Sequence, residues 1–588
     1  MATDLSEASW NVAYREREDL VPFGSAGLAL YAMALKFGYD DLPTIGADAV
    51  VDGPDDKGCD VVYLDREQRM AVVAQSYRAI TPKQAASDSK AATLRQGISY
   101  LLEVNLSAVP ERLRASATAL RTALLEGEIE TVYVWFVHNC PHSANVTKEV
   151  DAVEQSVKSV LSARYNDHSV RVFAEEISSE TLEKLYTDTS TPILVNESFS
   201  LTSDSVLQFE EGDWNCVVIP LQISKLQQWY QKYSTDLFSA NVRDFLGVKA
   251  GDSNINYQMQ KSLAEKPQNF FVYNNGLTIL THRVNVQPSS ADEKQQYTVD
   301  LYGLSIVNGA QTTGTIGTSK SLPPSNAYVL ARFISTDKEE LVGDVVRFNN
   351  SQNAVTASDF RSTDSHQRRL VEEMKAIPDA EYDGGRRGGV SAAIKRRPKL
   401  LPSYSVGQAL AAFHGSPAVA YNEKSAIWSR DALYSRYFND HLTAAHVVFA
   451  YSLLRAIENE KNLLRAQEGG PLTETDRAKL TFYRKRGSVF LLAGAAGECL
   501  ETIVGAPISN KFKVSLGNQM SPDKAIALWK PVVTALSGLH SYLEKALNDG
   551  LKNQETVGET LKSFSQLVAS LREPYQPFFE PLKNEIEL

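Results

Sequence analysis

Residues Cys59–Tyr77 read CDVVYLDREQRMAVVAQSY. The two ends of this stretch, CDVVYL and RMAVVAQSY, are rich in apolar and β-branched residues, which are typical of strands. The segment DREQ between them is polar and suits a turn. The stretch therefore predicts two neighbouring strands joined as a β-hairpin in the front part of the chain.

The segments around this hairpin extend it into a sheet. Ala26–Phe37 is an apolar, helix-like segment ahead of it, and Asp88 can cap a helix that runs through Leu102. Thr131–Asn139 (TVYVWFVHN) and Ser169–Ile177 (SVRVFAEEI) have the composition of further strands. Because helices alternate with strands, we expect an α/β sheet here.

The chain changes character beyond this sheet. NCVVIPLQI, from Asn215, predicts a strand followed by a helix through Tyr233, and FFVYNNGLTIL (Phe270–Leu280) predicts a hairpin around its Asn-Asn-Gly. YTVDLYGLSIVNGAQTTGTIGTS predicts a strand that turns into a helix, and NAYVLARFIS predicts one more strand. Helical spacing of apolar residues marks Thr443–Ala466, Ala478–Val504, Pro522–Leu551 and Glu555–Arg572.

The predicted fold class is thus a multi-domain α/β protein. A chain of 588 residues is too long for one hydrophobic core, which stops growing near roughly 250–300 residues. We predict a front α/β domain at 1–165, a connecting α/β segment at 166–235, a central α+β domain at 236–400 and an α-helical C-terminal region at 401–588.

The composition limits the class of protein. Lys and Arg total 60 and Asp and Glu total 71, so the net charge is −11, which argues against a surface covered throughout with nucleic acid. A local basic groove is compatible with that charge, because phosphates respond to the field where they bind. Four scattered cysteines and an N-terminus without a leader-like segment predict a cytoplasmic protein. The longest apolar run, Ser488–Leu500, is too short to span a membrane.

One face of the front hairpin predicts a metal site. A turn centred on Arg66–Glu67 places Asp60 opposite Val73 and diagonal to Gln75, so that Asp60, Gln75 and Tyr77 share a face. Carboxylate and amide oxygens are ligands for a hard divalent cation, and such a cation activates water against a phosphodiester. The alternative is that Asp60 only begins a strand and that Gln75 is an ordinary polar residue.

A basic stretch interrupts this acidic chain between residues 386 and 399. It contains no acidic residue, and glycines make its first half flexible. We predict that it contacts nucleic-acid phosphates, and the alternative is a solvated charged loop. The candidate contact residues are Arg386, Arg387, Lys395, Arg396, Arg397 and Lys399.

Amides, glycines and hydroxyls recur in the central region. Asn308–Thr313 ends an apolar strand and begins a helix, so its free backbone N–H groups can form an anion pocket. The same residues can equally cap the helix and hold a turn. The candidate ligand residues are Asn274, Asn275, Gly276, Asn308, Gly309, Gln311, Thr312, Asn350, Gln352 and Asn353.

The front hairpin resembles the restriction-endonuclease-like core of the PD-(D/E)XK superfamily. One branch carries Asp on the first strand and Gln-x-Lys on the second, and Gly58–Asp60 and Gln75 match these elements. The resemblance implies a nuclease fold with Asp60, Gln75 and Tyr77 at its catalytic positions. It also implies that Asp60 and Gln75 hold Mg²⁺ if the domain is catalytic.

The hairpin departs from that family at two points. Tyr77 stands where the family has lysine, and a tyrosine lacks the fixed ammonium charge that steadies the attacking water. The helix Ala26–Phe37 has no carboxylate at the place where the family often has one. Lys83 and Lys90 are the nearby candidates to replace the lysine, and a degenerate nuclease domain is the alternative.

The central region resembles the abortive infection phage resistance (AIPR) family. NNG-x-T-I, then N-G-x-Q-T-T, then N-S-Q-N follow in the order and approximate spacing of that family. The segments are Asn241–Met259, Asn269–Leu280, Leu304–Ile316 and Val345–Leu370. Family membership implies bacterial phage defence without a settled activity for the central domain.

These observations lead to one main functional hypothesis and two alternatives. The main one is an antiviral protein that binds DNA or RNA and cleaves it with a divalent metal. The second is a non-catalytic nucleic-acid-binding component with a degenerate nuclease domain, and the third is a sensor of a nucleotide or a phage protein centred on Asn308–Thr313. Other defence-operon proteins or a phage trigger protein are the further partners considered, self-association is left open, and no membrane partner is expected.

Overall fold

A computed structural model describes most of the chain. The described residues are 8–81, 83–165, 170–190, 193, 195–233, 237–238, 263, 265–288, 296–317, 324–338, 341–342, 345, 361, 364–384, 397–468, 470–517 and 520–588. The chain divides into two compact units, of which unit 1 contains Met1–Ala34, Tyr39–Leu182 and Thr356–Leu588 and unit 2 contains Leu35–Gly38 and Glu183–Val355. No helix in the described ranges combines the length and the apolar character needed to cross a bilayer.

A four-stranded sheet forms the front of unit 1. Its strand order is β1–β2–β3–β4, with β1 antiparallel to β2 and the other neighbours parallel. The strands are β1 (Val61–Asp65), β2 (Met70–Tyr77), β3 (Thr131–His138) and β4 (Arg171–Ile177). Every residue of β3 is buried, which explains its unbroken run of apolar and β-branched side chains. The four predicted strands are confirmed.

Helices separate these strands, as the predicted α/β pattern requires. The helix predicted for Ala26–Phe37 is confirmed to the residue, and the helix predicted to run through Leu102 begins at Asp88, with Ser87 rather than Asp88 as its N-cap. The helix α4 packs against β2 and α6, and α6 packs against β3 and β4. The helices of this region are α1 (Ser9–Arg15), α2 (Ala26–Phe37), α3 (Leu42–Ala49), α4 (Asp88–Leu102), α5 (Glu111–Leu125), α6 (Ala144–Arg164) and α7 (Ser179–Ser190).

The register predicted for the front hairpin is wrong by two residues. Asp65 pairs with Met70 and Val61 pairs with Ala74, so Asp60 lies opposite Gln75 rather than opposite Val73. The turn spans four residues because the carboxylate of Asp65 accepts the Gln68 N–H at 3.0 Å and closes a longer loop. An even shift leaves every side chain on its predicted face.

Unit 2 is built on a seven-stranded sheet. The strand order is β5–β10–β8–β11–β7–β6, and β9 also pairs with β10. The predicted strands are confirmed as β7, β10 and β11, whereas β5, β6 and β9 were not predicted. The strands are β5 (Val195–Ser203), β6 (Leu207–Glu211), β7 (Trp214–Gln222), β8 (Leu277–Leu280), β9 (Arg283–Pro288), β10 (Tyr297–Asn308) and β11 (Tyr328–Thr336). The helices in the described part of this unit are α8 (Ile223–Tyr233), α9 (Phe270–Tyr273) and α10 (Ala310–Gly317).

The hairpin predicted for Phe270–Leu280 is wrong. Its first arm is the short helix α9, and only its second arm is a strand, β8. Gly276 does turn the chain, with φ +87°, but it joins a helix to a strand. The reason is that β10 and β11 occupy both edges of β8, so the first arm has no free edge to pair with.

The C-terminal part of unit 1 is helical, as predicted. Its core surrounds α16, against which α20 packs, and the Trp529 indole donates a hydrogen bond to the Phe449 carbonyl at 3.0 Å. The single helix predicted for Ala478–Val504 is divided into α17, α18 and α19, the first break lying at Gly487 with φ +83°. The helices are α11 (Ser365–Met374), α12 (Ser403–Phe413), α13 (Pro417–Asn422), α14 (Ala426–Ser429), α15 (Asp431–Tyr437), α16 (Ala444–Ala466), α17 (Glu474–Arg484), α18 (Ser488–Glu498), α19 (Leu500–Val504), α20 (Pro522–Ser537), α21 (Gln554–Ser570) and α22 (Arg572–Lys583).

Buried ion pairs join the front sheet region to these helices within unit 1. Arg455 on α16 pairs with Asp41 at 2.7 Å and with Glu458 at 2.6 Å. The buried Arg486 pairs with the half-buried Asp48. The burial of such charges is tolerated only while both partners stay together. The front region and the C-terminal helices are therefore packed as one body in unit 1.

Candidate metal centre

Asp60 and Gln75 lie side by side at one end of the front sheet. The Asp60 N–H donates to the Ala74 carbonyl at 2.9 Å, which fixes the start of β1 against β2. The Asp60 carboxylate accepts the Ser76 N–H at 2.6 Å through Oδ2. Both side chains are buried, with Asp60 6% and Gln75 7% exposed. The structure thus places the two predicted metal ligands on one face, as neighbours across the hairpin.

Two further aspartates complete the centre. Asp52 and Asp56, on the loop between α3 and β1, each bring a carboxylate oxygen to Asp60 so that the three atoms lie within 4.8 Å of one another. The Asp56 carboxylate accepts the N–H groups of Gly53 at 3.0 Å and Gly58 at 2.8 Å, which shapes the loop. Sequence reasoning missed both residues, although the group of aspartates just before β1 could have pointed to them.

The carboxylates in this centre repel one another. Burial raises the pKa of Asp60 to about 8, and the charges of Asp52 and Asp56 push that pKa in the same direction. The Ser76 N–H and the Lys90 ammonium oppose the rise only in part. Burial and the charge of Asp56 likewise raise the pKa of Asp52. The three carboxylates form a donor set that suits a hard divalent cation, whose charge would relieve this repulsion.

The Gln75 amide is oriented by the first helix after the hairpin. Its Nε2 donates to the Thr93 hydroxyl of α4 at 3.0 Å. The loop approaches the same helix closely, because a Cβ on Gly58 would lie 2.8 Å from the Thr93 Oγ1. Gly58 also has φ +82°, so both the close approach to Thr93 and the left-handed backbone require glycine at this position. The loop, β2 and α4 therefore converge on one place.

Tyr77 is flanked by two ammonium groups. The Lys83 Nζ donates to the Tyr77 hydroxyl at 2.5 Å and lies 5.2 Å from the ring centre. The Lys90 Nζ lies 5.0 Å from the same ring centre, and its charge also acts on Asp60. The hydrogen bond with Tyr77 raises the pKa of Lys83, so this lysine stays charged. Both lysines named as replacements for the missing one thus lie near the Tyr77 ring, and a catalytic role for either stays a prediction.

The central amide motifs come together in unit 2. Asn274 donates to the Thr312 hydroxyl at 3.0 Å and accepts the Gly276 N–H at 3.0 Å. A Cβ on Gly309, whose φ is +100°, would lie 2.2 Å from a methyl group of Leu277. These contacts hold the turns at Asn274 and Gly309, while Asn275 is exposed and Asn308 half-buried. A ligand role for this group stays a prediction, and the side chain of Gln311 lies outside the described residues with Asn350, Gln352 and Asn353.

The basic stretch is described only at its end. Arg397 pairs with Glu381 at 3.4 Å and with Asp383, and Lys399 pairs with Asp379 at 2.8 Å. All these ion pairs are partly exposed, so phosphates can compete for the cations at little cost. The remaining candidates, Arg386, Arg387, Lys395 and Arg396, lie outside the described residues.

Comparison with known proteins agrees with the central motifs. Residues 238–462 match the model of one protein family, which is described as AIPR protein. This match supports the AIPR resemblance and, through it, a role in phage defence. No curated protein and no solved structure matches the chain.

Proposed function

We propose that this chain is an anti-phage defence protein whose front domain is restriction-endonuclease-like and cleaves nucleic acid with Mg²⁺. The observation that carries the proposal is the convergence of the Asp52, Asp56 and Asp60 carboxylates next to Ser76, the residue that follows Gln75. Metal-free, this arrangement holds a buried carboxyl between two others, which is unfavourable. Unfavourable clusters of this kind are typical of sites that bind a cation.

Each residue of such a site would have a separate role. Asp52, Asp56, Asp60 and Gln75 would hold the cation, which when bound lowers the pKa of water and polarises a phosphodiester. The Ser76 N–H holds the Asp60 carboxylate, and Thr93 holds the Gln75 amide. These two contacts fix the donor oxygens before a substrate arrives.

The ammonium groups beside Tyr77 would supply the charge that tyrosine lacks. Lys90 lies near enough to Asp60 to lower the pKa of that carboxyl, so its charge reaches the centre. We assign Lys90 to stabilise the negative charge that develops on the phosphate during cleavage. Lys83, which donates to the Tyr77 hydroxyl, would hold the tyrosine in place.

The substrate class is DNA or RNA, and the basic stretch would bind its backbone. Arg386, Arg387, Lys395, Arg396, Arg397 and Lys399 form a local cationic segment in an acidic chain. Phage defence places the target inside the bacterial cell, so we propose a cytoplasmic location. Other defence proteins or a phage trigger protein are the proposed further partners.

The decisive experiment is a cleavage assay with the purified full-length protein. Plasmid DNA, phage DNA and RNA are incubated with Mg²⁺ or with EDTA, and loss of intact substrate is measured. Cleavage should require the metal and should be lost in Asp60→Ala. The matched control is Asp88→Ala, which removes an exposed carboxylate at the start of α4. Metal-dependent cleavage that survives in Asp60→Ala would refute the assignment of this site.

A non-catalytic role is the second candidate. The observation that favours it is Tyr77 itself, since a tyrosine at the lysine position is expected in a degenerate nuclease used to bind nucleic acid or to sense a phage. In that case the protein binds nucleic acid without cutting it, and binding weakens with salt. Arg396→Ala combined with Arg397→Ala should then weaken binding, and neither the wild type nor this variant should cleave the substrate.

A further inference from the structure

One arginine holds the loop that carries Asp52 and Asp56. Arg112 lies on α5 and is 5% exposed. Its Nη1 donates to the Val51 carbonyl at 2.9 Å and also to the Asp52 carbonyl. A Cβ on Gly53, whose φ is +141°, would lie 2.3 Å from that nitrogen. The guanidinium therefore packs directly against the loop backbone and determines where the Asp52 side chain begins.

The arginine is held in turn by a residue of the C-terminal helical region. The Glu468 carboxylate, just after α16, pairs with Arg112 Nη2 at 2.5 Å. Its other oxygen contacts Arg484 at the end of α17. Glu468 thus bridges two guanidinium groups, and its contact with Arg112 spans 356 residues of sequence.

The charge of this bridge matters as well as its geometry. The buried Arg112 guanidinium contacts the backbone carbonyl of Asp52. An unpaired cation at this place would oppose the binding of a metal ion. Glu468 neutralises it at contact distance. Arg465 on α16 also acts on this loop, because its charge lowers the pKa of Asp52. The same guanidinium donates to the Pro22 carbonyl at 3.0 Å, which fixes it near the loop.

We infer that Glu468 is a positioning residue for the metal centre, an inference that rests on the proposed function. Through Arg112 it sets the loop so that Asp52 and Asp56 reach Asp60, and it cancels the charge of Arg112 beside the cation. The centre is therefore completed by the C-terminal helices and is not contained in the front domain alone.

Metal affinity of the full-length protein tests this inference. Mn²⁺ is the probe, and its affinity is measured by isothermal titration for the wild type, Glu468→Gln and Glu468→Asp. Loss of a group that orients a metal ligand typically weakens metal binding about 10–100-fold, and Glu468→Gln should fall in that range. Glu468→Asp keeps the charge and should recover part of the affinity.

The matched control is Glu544→Gln. It breaks a 2.7 Å ion pair with Lys485, the residue after Arg484, in the same helical region. Its Mn²⁺ affinity should equal that of the wild type. Melting temperatures in EDTA separate positioning from folding. An affinity loss in Glu468→Gln with an unchanged melting temperature supports the inference, whereas a loss that only follows a lower melting temperature overturns it.

The failure of this inference is distinguishable from failure of the proposed function. Equal Mn²⁺ affinity in the wild type and Glu468→Gln, with no binding in Asp60→Asn, overturns the role of Glu468 and leaves the metal centre standing. Absence of Mn²⁺ binding in the wild type, or unchanged binding in Asp60→Asn, overturns the metal centre itself and the inference with it.

Discussion

Replacing Asp60 with asparagine should make the metal-free protein more stable. The carboxylate is buried between Asp52 and Asp56, so its ionised form is disfavoured in the fold. Asparagine has the same shape, carries no charge and can still accept the Ser76 N–H through its amide oxygen. The substitution removes the repulsion without opening a cavity.

The magnitude follows from the pKa of this group. The ordinary pKa is 3.8 and the pKa in the fold is about 8. A pKa difference of one corresponds to about 1.4 kcal/mol, so Asp60 costs the metal-free fold roughly 4 kcal/mol at pH 7. At pH 7 Asp60 is mostly protonated in the fold, so the Ser76 N–H bonds a neutral oxygen in both proteins and this hydrogen bond changes little. Asp60→Asn should therefore raise the free energy of unfolding by about 3–4 kcal/mol.

The pH dependence has a definite sign. Because the pKa of Asp60 is raised in the fold, the folded chain binds the proton more tightly than the unfolded chain between pH 3.8 and about 8. The wild type thus loses stability as the pH rises through that window, and the variant lacks this loss. The difference between the two proteins should be largest near pH 8 and should vanish near pH 4.

Thermal unfolding followed by fluorescence measures both effects. In EDTA at pH 7, Asp60→Asn should melt above the wild type, while Asp88→Asn, the exposed control, should not. Added Mg²⁺ should stabilise the wild type, by about 2.7 kcal/mol at one hundred times its dissociation constant, and should leave Asp60→Asn unchanged. A variant that melts at or below the wild type in EDTA, or that Mg²⁺ stabilises equally, would refute the reasoning.

Three further outcomes are expected. Lys90→Met should lower the cleavage rate by on the order of 10²–10³-fold, because it removes charge stabilisation at the phosphate. Lys83→Met should lower the rate less. Wild-type cleavage rates in both variants would contradict the assignment. Gly309→Ala should lower stability by about 1–3 kcal/mol in urea unfolding, since φ +100° is strained for alanine and the methyl group meets Leu277; wild-type stability would show that the turn adapts. Burial lowers the pKa of His446 to about 4 from 6.5, so the unfolded chain binds this proton first. The contribution of His446 to stability should therefore fall by roughly 2 kcal/mol between pH 7 and pH 5, opposite in sign to the contribution of Asp60. His446→Gln should gain stability relative to the wild type over this range, whereas an identical pH profile in both proteins would place the titration elsewhere.

Local pattern was a sound guide to the elements of the front sheet. The apolar runs of β2 and β3 and the helix Asp88–Leu102 follow directly from residue periodicity, because neighbours along the chain decide which side chains share a face. The common face of Asp60, Gln75 and Tyr77 could be predicted for the same reason. The pairing of Asp60 with Gln75 could not, because a side-chain contact of Asp65 set the length of the turn.

Contacts between distant segments explain the remaining errors and omissions. The first arm of the hairpin expected at Phe270–Leu280 is helical because β10 and β11, from later in the chain, occupy both edges of β8. The candidate metal centre also depends on tertiary structure. The chain's own order places Asp60 and Gln75 on one hairpin, but Asp52 and Asp56 reach them only through the path of a loop.

By itself, then, the sequence determined which segments of the front sheet region are strands and helices, which polar side chains share the hairpin face, and the AIPR-like order of the central motifs. Only the tertiary structure decided that three aspartates meet, that two lysines flank Tyr77 and that Glu468 holds Arg112. The physical reason is the distance along the chain over which each kind of interaction acts. Periodicity and turn chemistry act over a few residues, whereas the position of a buried charge depends on whichever distant group pairs with it when the chain packs.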